Sequence, residues 1–245
     1  MNKVIETLIN HRSIRSYKKD SVSKEYLDII IKSAQAAPSS INGQQMSIIS
    51  VEDEEKKKKI AHLVGDQAWV DQAPVFLIFC ADFYRAKLGL ELNNQEMVIT
   101  DNIESTLVGA VDVGIAMSNA ITAAESLGLG TVPIGGVRKN PDELIELLEL
   151  PPYVFPICGL VIGHIEDNSH LKPRFPKEAV HHEEKYNNDL IDNVKEYDET
   201  VSNYMKERTN GEDSRNWSQT VSRVYNHVYY PKVSDALKKQ GFKNL

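Results

Sequence analysis

Cysteine is nearly absent. Cys80 and Cys158 are the only two in 245 residues, and both lie inside apolar runs. That excludes a disulfide framework and leaves two small core residues in a reducing compartment. A broad basic field is missing too, since the net charge is −7 and the pI about 5.6. A general nucleic-acid binder, or a binder of anionic membranes, needs the opposite sign. Residues 1–11 carry charge with no long apolar stretch and no small-residue cleavage site, so they do not read as a secretory signal. The longest weakly polar run, 107–130, contains Asp112, Asn119 and Glu125. Each is costly in lipid, so a membrane span is not expected. The expectation is a cytoplasmic protein with neither nucleic acid nor membrane as partner. Also missing are a G-x-G-x-x-G turn, a G-x-x-x-x-G-K-[ST] loop and a G-x-S-x-G elbow. No internal repeat or low-complexity linker is visible.

What remains is an ordinary globular composition, 41% hydrophobic and 26% charged, enough apolar material to fill a core. An amphipathic helix is predicted near 2–10, with Val4, Ile5, Leu8 and Ile9 at helical spacing. Ser23 reads as the N-cap of a helix over 24–36 that turns Leu27, Ile30 and Ile31 inward. A turn-rich loop, 38–44, leads into a strand at 46–51. Asp53 caps a short helix, and Lys56 to Lys59 read as its solvated face. A buried strand follows at 75–81. Residues 86–100 show no clear period and read as a mobile excursion. The stretch 101–127 is a long helix, apolar almost all round, ended by Gly128. Its Gly109, Gly114, Ala116 and Ala120 would let another backbone approach, and a dimer axis beside it is natural. Strands are predicted at 131–134 and 156–164. Between them a helix over 141–148 carries Asn140, Pro141 and Glu143 as N-cap, first-turn proline and capping-box partner. After His164 the pattern weakens. Helices are predicted at 191–208 and 218–240, joined through a polar loop at 213–217. The tail's aromatics, among them Trp217, Tyr225, Tyr229, Tyr230 and Phe242, imply packing onto a body, its own or a partner's. Alternating helices and strands through 164 give an α/β or α+β layering.

Several segments could carry chemistry. Arg12 and Arg15 lie three apart around Ser13, and on a helical turn both guanidinium groups would face one side and could grip a phosphate. Two surface arginines paired with carboxylates fit the same spacing. Ser39, Ser40, Asn42 and Gln44 offer hydroxyl and amide groups to a neutral polar ligand, or form a simple polar turn. The strand 131–134 ends in Gly135-Gly136, where a backbone could approach a planar ligand or merely leave the sheet. Lys172-Pro173-Arg174 is either a rigid basic hook or a solvent-facing turn. His181-His182-Glu183 has adjacent residues that diverge, a poor spacing for chelation, so no metal is expected.

Taken in order, these segments resemble the flavin-dependent nitroreductase family, in its larger NADPH-preferring branch. That branch includes oxygen-insensitive nitroreductases and NAD(P)H:FMN oxidoreductases of bacteria, and the chain looks most like the Bacillus-type flavin reductases. The matching stretches are His11-Arg12-Ser13-Ile14-Arg15, the 39–44 loop, Gly65-Asp66-Gln67, 123–130, 134–138, 171–174, 208–211 and 215–218. The resemblance runs end to end. It implies one α+β domain over 1–245, a three-layer sandwich around a mixed sheet, with 165–245 as a C-terminal arm and excursion on an intertwined homodimer. It implies FMN, tightly but not covalently bound. Arg12, Ser13 and Arg15 would hold its phosphate, and Lys172 and Arg174 would complete the positive cage. His11 would lie against the ring or ribityl chain. Ser39 and Gln67 would touch the flavin from the second subunit or at the ring edge. Ile134, Gly135 and Gly136 would cover the far face, and Arg208 and Arg215 would meet the 2′-phosphate of NADPH. No catalytic side chain is implied, because the flavin carries the chemistry. The implied activity is two-electron, ping-pong reduction of free flavin, nitroaromatics, quinones or azo compounds by NADPH, with NADH left open. A flavin-binding carrier or sensor without fast turnover is the alternative. The chain departs from close relatives at 38–44 and at Val132-Pro133, both flanking the expected acceptor pocket.

Overall fold

The computed structural model describes residues 1–243; the last two residues of the expected 1–245 domain, Asn244 and Leu245, lie outside the described residues. Two compact units are distinguished, 1–169 with 230–245, and 170–229. The C-terminal stretch from 165 is therefore divided between them.

In the larger unit, α1 (Lys3–Ile9) is capped by Asn2, whose side chain accepts from the Ile5 N–H. Ser23 does the same for α2 (Lys24–Gln35) through the Tyr26 N–H. Strand β1 (Met46–Val51) follows, then α3 (Glu54–Leu63), capped by Asp53, and α4 (Ala68–Gln72). Strand β2 (Val75–Asp82) is buried at every residue. The expected excursion after it is a helix, α5 (Tyr84–Leu92). Its period was hidden because it buries none of its residues, so no apolar face marks it. Helix α6 (Ile103–Ser126) ends before Gly128 at φ +80°, a conformation glycine adopts without a Cβ clash. Strand β3 (Leu129–Ile134), α7 (Pro141–Leu147) and β4 (Val154–His164) complete the body.

The strand order is β1-β2-β4-β3, and every pair among these strands is antiparallel. Among the described residues, the parallel character expected of a mixed sheet enters only at a single bridge, Ser13 to Thr131. Side chains of β2 alternate between two cores. Phe76, Ile78 and Cys80 point to one with Ile60, Val70 and Leu144 from α3, α4 and α7. Val75, Leu77 and Phe79 point to the other, with Ile30 and Ala34 of α2 and Ala116 and Ala120 of α6. That period-two alternation makes the α+β, three-layer sandwich.

Several local expectations change. Lys57 is not on a solvated face: it is buried, and its Nζ donates to the Ala73 carbonyl at 2.5 Å. Asn140 does not form the expected capping box. Its amide donates to the Leu63 carbonyl at 2.8 Å, and its oxygen accepts from Lys232 at 2.9 Å. Cys80 is fully buried, whereas Cys158 is only half-buried.

In the smaller unit, α8 (Ile191–Arg208) matches its predicted span, and α9 (Trp217–Tyr225) opens with a capping box from Asn216 and Gln219. The helix expected over 218–240 is broken. Its second half, α10 (Val233–Lys239), belongs to the larger unit. Pro231 lies in the break, where it lacks an N–H and clashes with the preceding turn. Beyond α10, Phe242 meets Phe83 edge to face at 5.9 Å and closes a third core with Phe155 and Leu237.

Helix α6 alone among the described residues is long and apolar enough to cross a membrane by length and composition. Asp112, Asn119 and Glu125 on it all make contacts within the chain. Asp112 accepts from the Ser40 N–H, Asn119 donates to the Ser33 carbonyl, and Glu125 accepts from Thr131.

Candidate functional site

Residues 11–17 are extended, not a helical turn. Ile14 donates its N–H to the Thr131 carbonyl at 2.8 Å, and Ser13 and Tyr17 bridge to Thr131 and Ile165. The segment thus lies along the β3 edge of the sheet. Two anchors hold it there. Ile14 is buried against Gly130, where a Cβ would come within 2.8 Å of the Ile14 side chain. Tyr17 is buried and donates its hydroxyl to the Ile14 carbonyl at 2.6 Å; burial holds that hydroxyl protonated well above the usual tyrosine range.

In an extended chain, residues three apart do not share a face. The premise that Arg12 and Arg15 face one side therefore fails. Arg12 is half-buried beside Thr7, Asn10 and Glu125, and its Nε is buried with no hydrogen-bond partner. Arg15 is exposed, with its guanidinium carbon 5.5 Å from the Trp69 ring centroid. Such a contact is worth about 0.5–1 kcal/mol at an exposed site. The Ser13 carbonyl accepts from the Ser169 hydroxyl at 2.9 Å.

His11 Nδ1 lies 2.6 Å from Glu125 Oε1, which also accepts from the Thr131 hydroxyl at 2.8 Å. A carboxylate only accepts, so Nδ1 carries the proton and Nε2 is the nitrogen left to face other groups. Sequence reasoning gave Glu125 no role; its place in the 123–130 match was the available signal.

Gln67 precedes α4 and donates to the Val64 carbonyl at 2.9 Å. A Cβ on Gly136 would fall 2.7 Å from the Gln67 amide nitrogen, so these two are in contact. Trp69, two residues on, also has a buried ring nitrogen without a partner. Arg15 thus meets Trp69, and Gln67, two residues before Trp69, meets Gly136. Ile134 is buried at the end of β3, and Gly135 follows it half-buried.

Ser39 is not brought to this group. Its neighbour Ser40 bonds Asp112 on α6, whereas His11 bonds Glu125 on the same helix. Thirteen residues at 1.5 Å each separate those anchors by about 20 Å. The Ser39 loop is strained as well: Ile41, Asn42 and Gln44 all have φ near +50°. For a β-branched residue this is a marked outlier, costing on the order of 1–3 kcal/mol.

The remaining predicted residues lie in the smaller unit. Arg174 donates to the Lys172 and Pro173 carbonyls at 3.0 and 3.2 Å, while Tyr197 holds the Pro173 carbonyl from the side. Phe175 stacks on Tyr197 at 3.9 Å and stands edge-on to Trp217 at 4.8 Å, so the 172–174 hook is pinned by aromatics. Arg208 and Arg215 share one anion. Arg215 grips Asp213 by Nη2 and Nε, and Arg208 adds its charge. The Arg215 hydrogen bonds, foremost, hold the Asp213 carboxyl at about 2. Among the described residues no three His, Cys, Asp or Glu side chains gather as metal ligands.

Arg12 Nε on the edge segment and Trp69 Nε1 on α4 are thus buried donors without a partner, a rare condition in a folded chain. The sequence matches the nitroreductase family over residues 8–164 and that family's C-terminal domain over 172–245. The chain belongs to the nitroreductase family. It is 60% identical to "FMN reductase [NAD(P)H]" of Bacillus subtilis and 40% identical to "FMN reductase (NADPH)" of the same organism, each over 99% of both chains. The solved structure of NfrA2 from B. megaterium superposes with a TM-score of 0.98 at 61% identity, covering 99% of each chain.

Proposed function

We propose that this chain is an FMN-dependent oxidoreductase that uses NADPH to reduce free flavin, nitroaromatics, quinones or azo compounds. The observation that carries the reading is Arg12. A half-buried guanidinium whose Nε has no acceptor is costly unless something outside the chain supplies one. A flavin phosphate is an anion of that kind, and two relatives bear flavin-reductase names. When bound, FMN supplies the two-electron relay between nicotinamide and acceptor.

The chain's own residues supply place and charge. Arg12 and Ser13 offer donors to the phosphate, and Arg15 adds positive charge from the other face of the segment. His11, held by Glu125, presents a fixed ring. Gln67, Ile134, Gly135 and Gly136 form the wall on the other side. Arg208 and Arg215 are the contacts for the 2′-phosphate of NADPH, which would displace the Asp213 carboxylate from Arg215.

Ser39 reaches the flavin from a second copy of the chain, a reading that the offset of about 20 Å along α6 supports. A homodimer also covers apolar surface that one chain leaves bare. Val4, Leu8 and Ile9 of α1 are each more than half exposed, as are Leu107 and Val111 of α6. Two free thiols fit a reducing cytoplasm, which also supplies NADPH.

The test is an anaerobic NADPH titration read by visible absorbance. Flavin bands that bleach with about one NADPH per flavin are expected. Arg12→Ala with Arg15→Ala should release the FMN. A protein that is colourless, and stays so after FMN is added, would sink the reading.

A further inference from the structure

The loop between α2 and β1 holds a conformation that its own sequence resists. Ile41, Asn42 and Gln44 are all left-handed, and Ile41 is 97% exposed at the tip. Such a loop persists only where its surroundings over-determine it. Three contacts do so. The Ser39 hydroxyl accepts from the Gln44 N–H at 3.2 Å. The buried Asp112 carboxylate accepts from the Ser40 N–H at 3.3 Å. The third is Arg85 of α5, which no sequence pattern singled out. Its Nη2 donates to the Gln44 carbonyl at 2.7 Å and the Met46 carbonyl at 2.8 Å. Its Nη1 donates to Ser47 Oγ and to Asp82 Oδ2, both at 2.8 Å.

Asp82 makes this a fixed clamp. Its side chain is only 8% exposed, and it accepts also from the Ser47 hydroxyl at 2.5 Å and the Tyr84 N–H at 2.9 Å. The carboxylate sets the plane of the guanidinium, and the far edge of that plane closes on the exit of the loop. A planar fork can serve four acceptors in one geometry; an ammonium on a flexible stem cannot.

We propose that Arg85 is a positioning residue for the acceptor side of the site. It locks loop 39–44 through the Gln44 and Met46 carbonyls, and the locked loop presents Ser39 and the bare Ile41 side chain to a flat acceptor. The proposal rests on the reading that Ser39 belongs to the redox site.

The experiment uses the full chain carrying FMN, with Arg85→Met and Arg85→Lys. Hydrogen–deuterium exchange of the peptide covering 38–45 is read beside acceptor kinetics with a nitrofuran. Arg85→Met should raise exchange in that peptide by about tenfold, with the β2 peptide unchanged. The acceptor KM should rise about five- to tenfold, while anaerobic reduction of the bound flavin by NADPH stays within about twofold. Arg85→Lys keeps the charge opposite Asp82 and therefore the fold. It should also loosen the loop, and it decides the matter if the methionine variant does not fold. Unchanged exchange at 38–45 in both variants overturns the clamp. Raised exchange with an unchanged acceptor KM overturns the functional half, and Ser39's place in the site falls with it. If the wild type binds no FMN, the proposed function fails, and the exchange result still judges the clamp.

Discussion

Glu125 joins two segments that are far apart in sequence. One of its oxygens takes the His11 ring and the Thr131 hydroxyl together, and Thr131 is completely buried. Removing it strands a buried donor, which costs more than the hydrogen bond is worth when made. Glu125→Ala should therefore lower stability by about 1.5–3 kcal/mol, and Glu125→Gln by less. Urea denaturation of both variants checks this; equal and negligible losses would mean that the 11–15 segment is held by Ile14 and Tyr17 alone. Cys80 gives a pH test. Burial pushes its thiol from 9 up to about 12. The unfolded chain then loses the Cys80 proton near pH 9 while the folded chain keeps it. Its contribution is complete below pH 9 and drains away as pH climbs toward 12, by about 1.4 kcal/mol per pH unit for one group. Cys80→Ala should flatten that part of the alkaline limb in denaturation curves taken between pH 8.5 and about 11.

At the scale of elements, α6 offers a paired comparison. A Cβ on Gly109 would stand 2.8 Å from the Ala81 Cβ and 3.2 Å from the Phe83 ring, so Gly109→Ala overpacks the helix against β2. A loss of about 1–3 kcal/mol is expected. A Cβ on Gly114 meets nothing within 4 Å. In a lone chain Gly114→Ala should gain about 0.5–1 kcal/mol from helix propensity. If a second copy lies on that face, the same change should instead weaken association, so melts at low and high protein concentration separate the two cases. Helix α6 itself was legible because its apolar composition and terminal Gly128 are local. So were α2, with its Ser23 cap, and β1 and α8, whose signals are local. What was not legible depended on partners distant in sequence. The arginine spacing suited a helical turn, but Thr131 recruited residues 11–17 into the sheet edge. Asn140 had every mark of a cap, but the Leu63 carbonyl took its amide. Arg85 carried no signal, since its four acceptors come together only when β1 pairs with β2. Pro231, inside the predicted 218–240 helix, is the local residue that breaks it.

For the whole molecule, the bare apolar residues of α1 and α6 lead to a dilution experiment. Leu107 and Val111 lie one turn apart on the face of α6 opposite Val113, Ala116 and Ala120. A dimer closed over them ties stability to concentration by mass action. The melting temperature should rise as protein is concentrated, and Leu107→Glu with Val111→Glu should abolish that slope; a wild-type melt independent of concentration would argue for a monomer. The third core has a different consequence, for the ribosome. Phe83 and Phe155 are made early, but Leu237 and Phe242, which cover them, follow the whole of residues 170–229. At 5–20 residues per second, those 60 residues delay them by roughly 3–12 s. For that interval the nascent chain carries two exposed phenylalanines that no faster local folding can hide, a window in which a chaperone has something to hold.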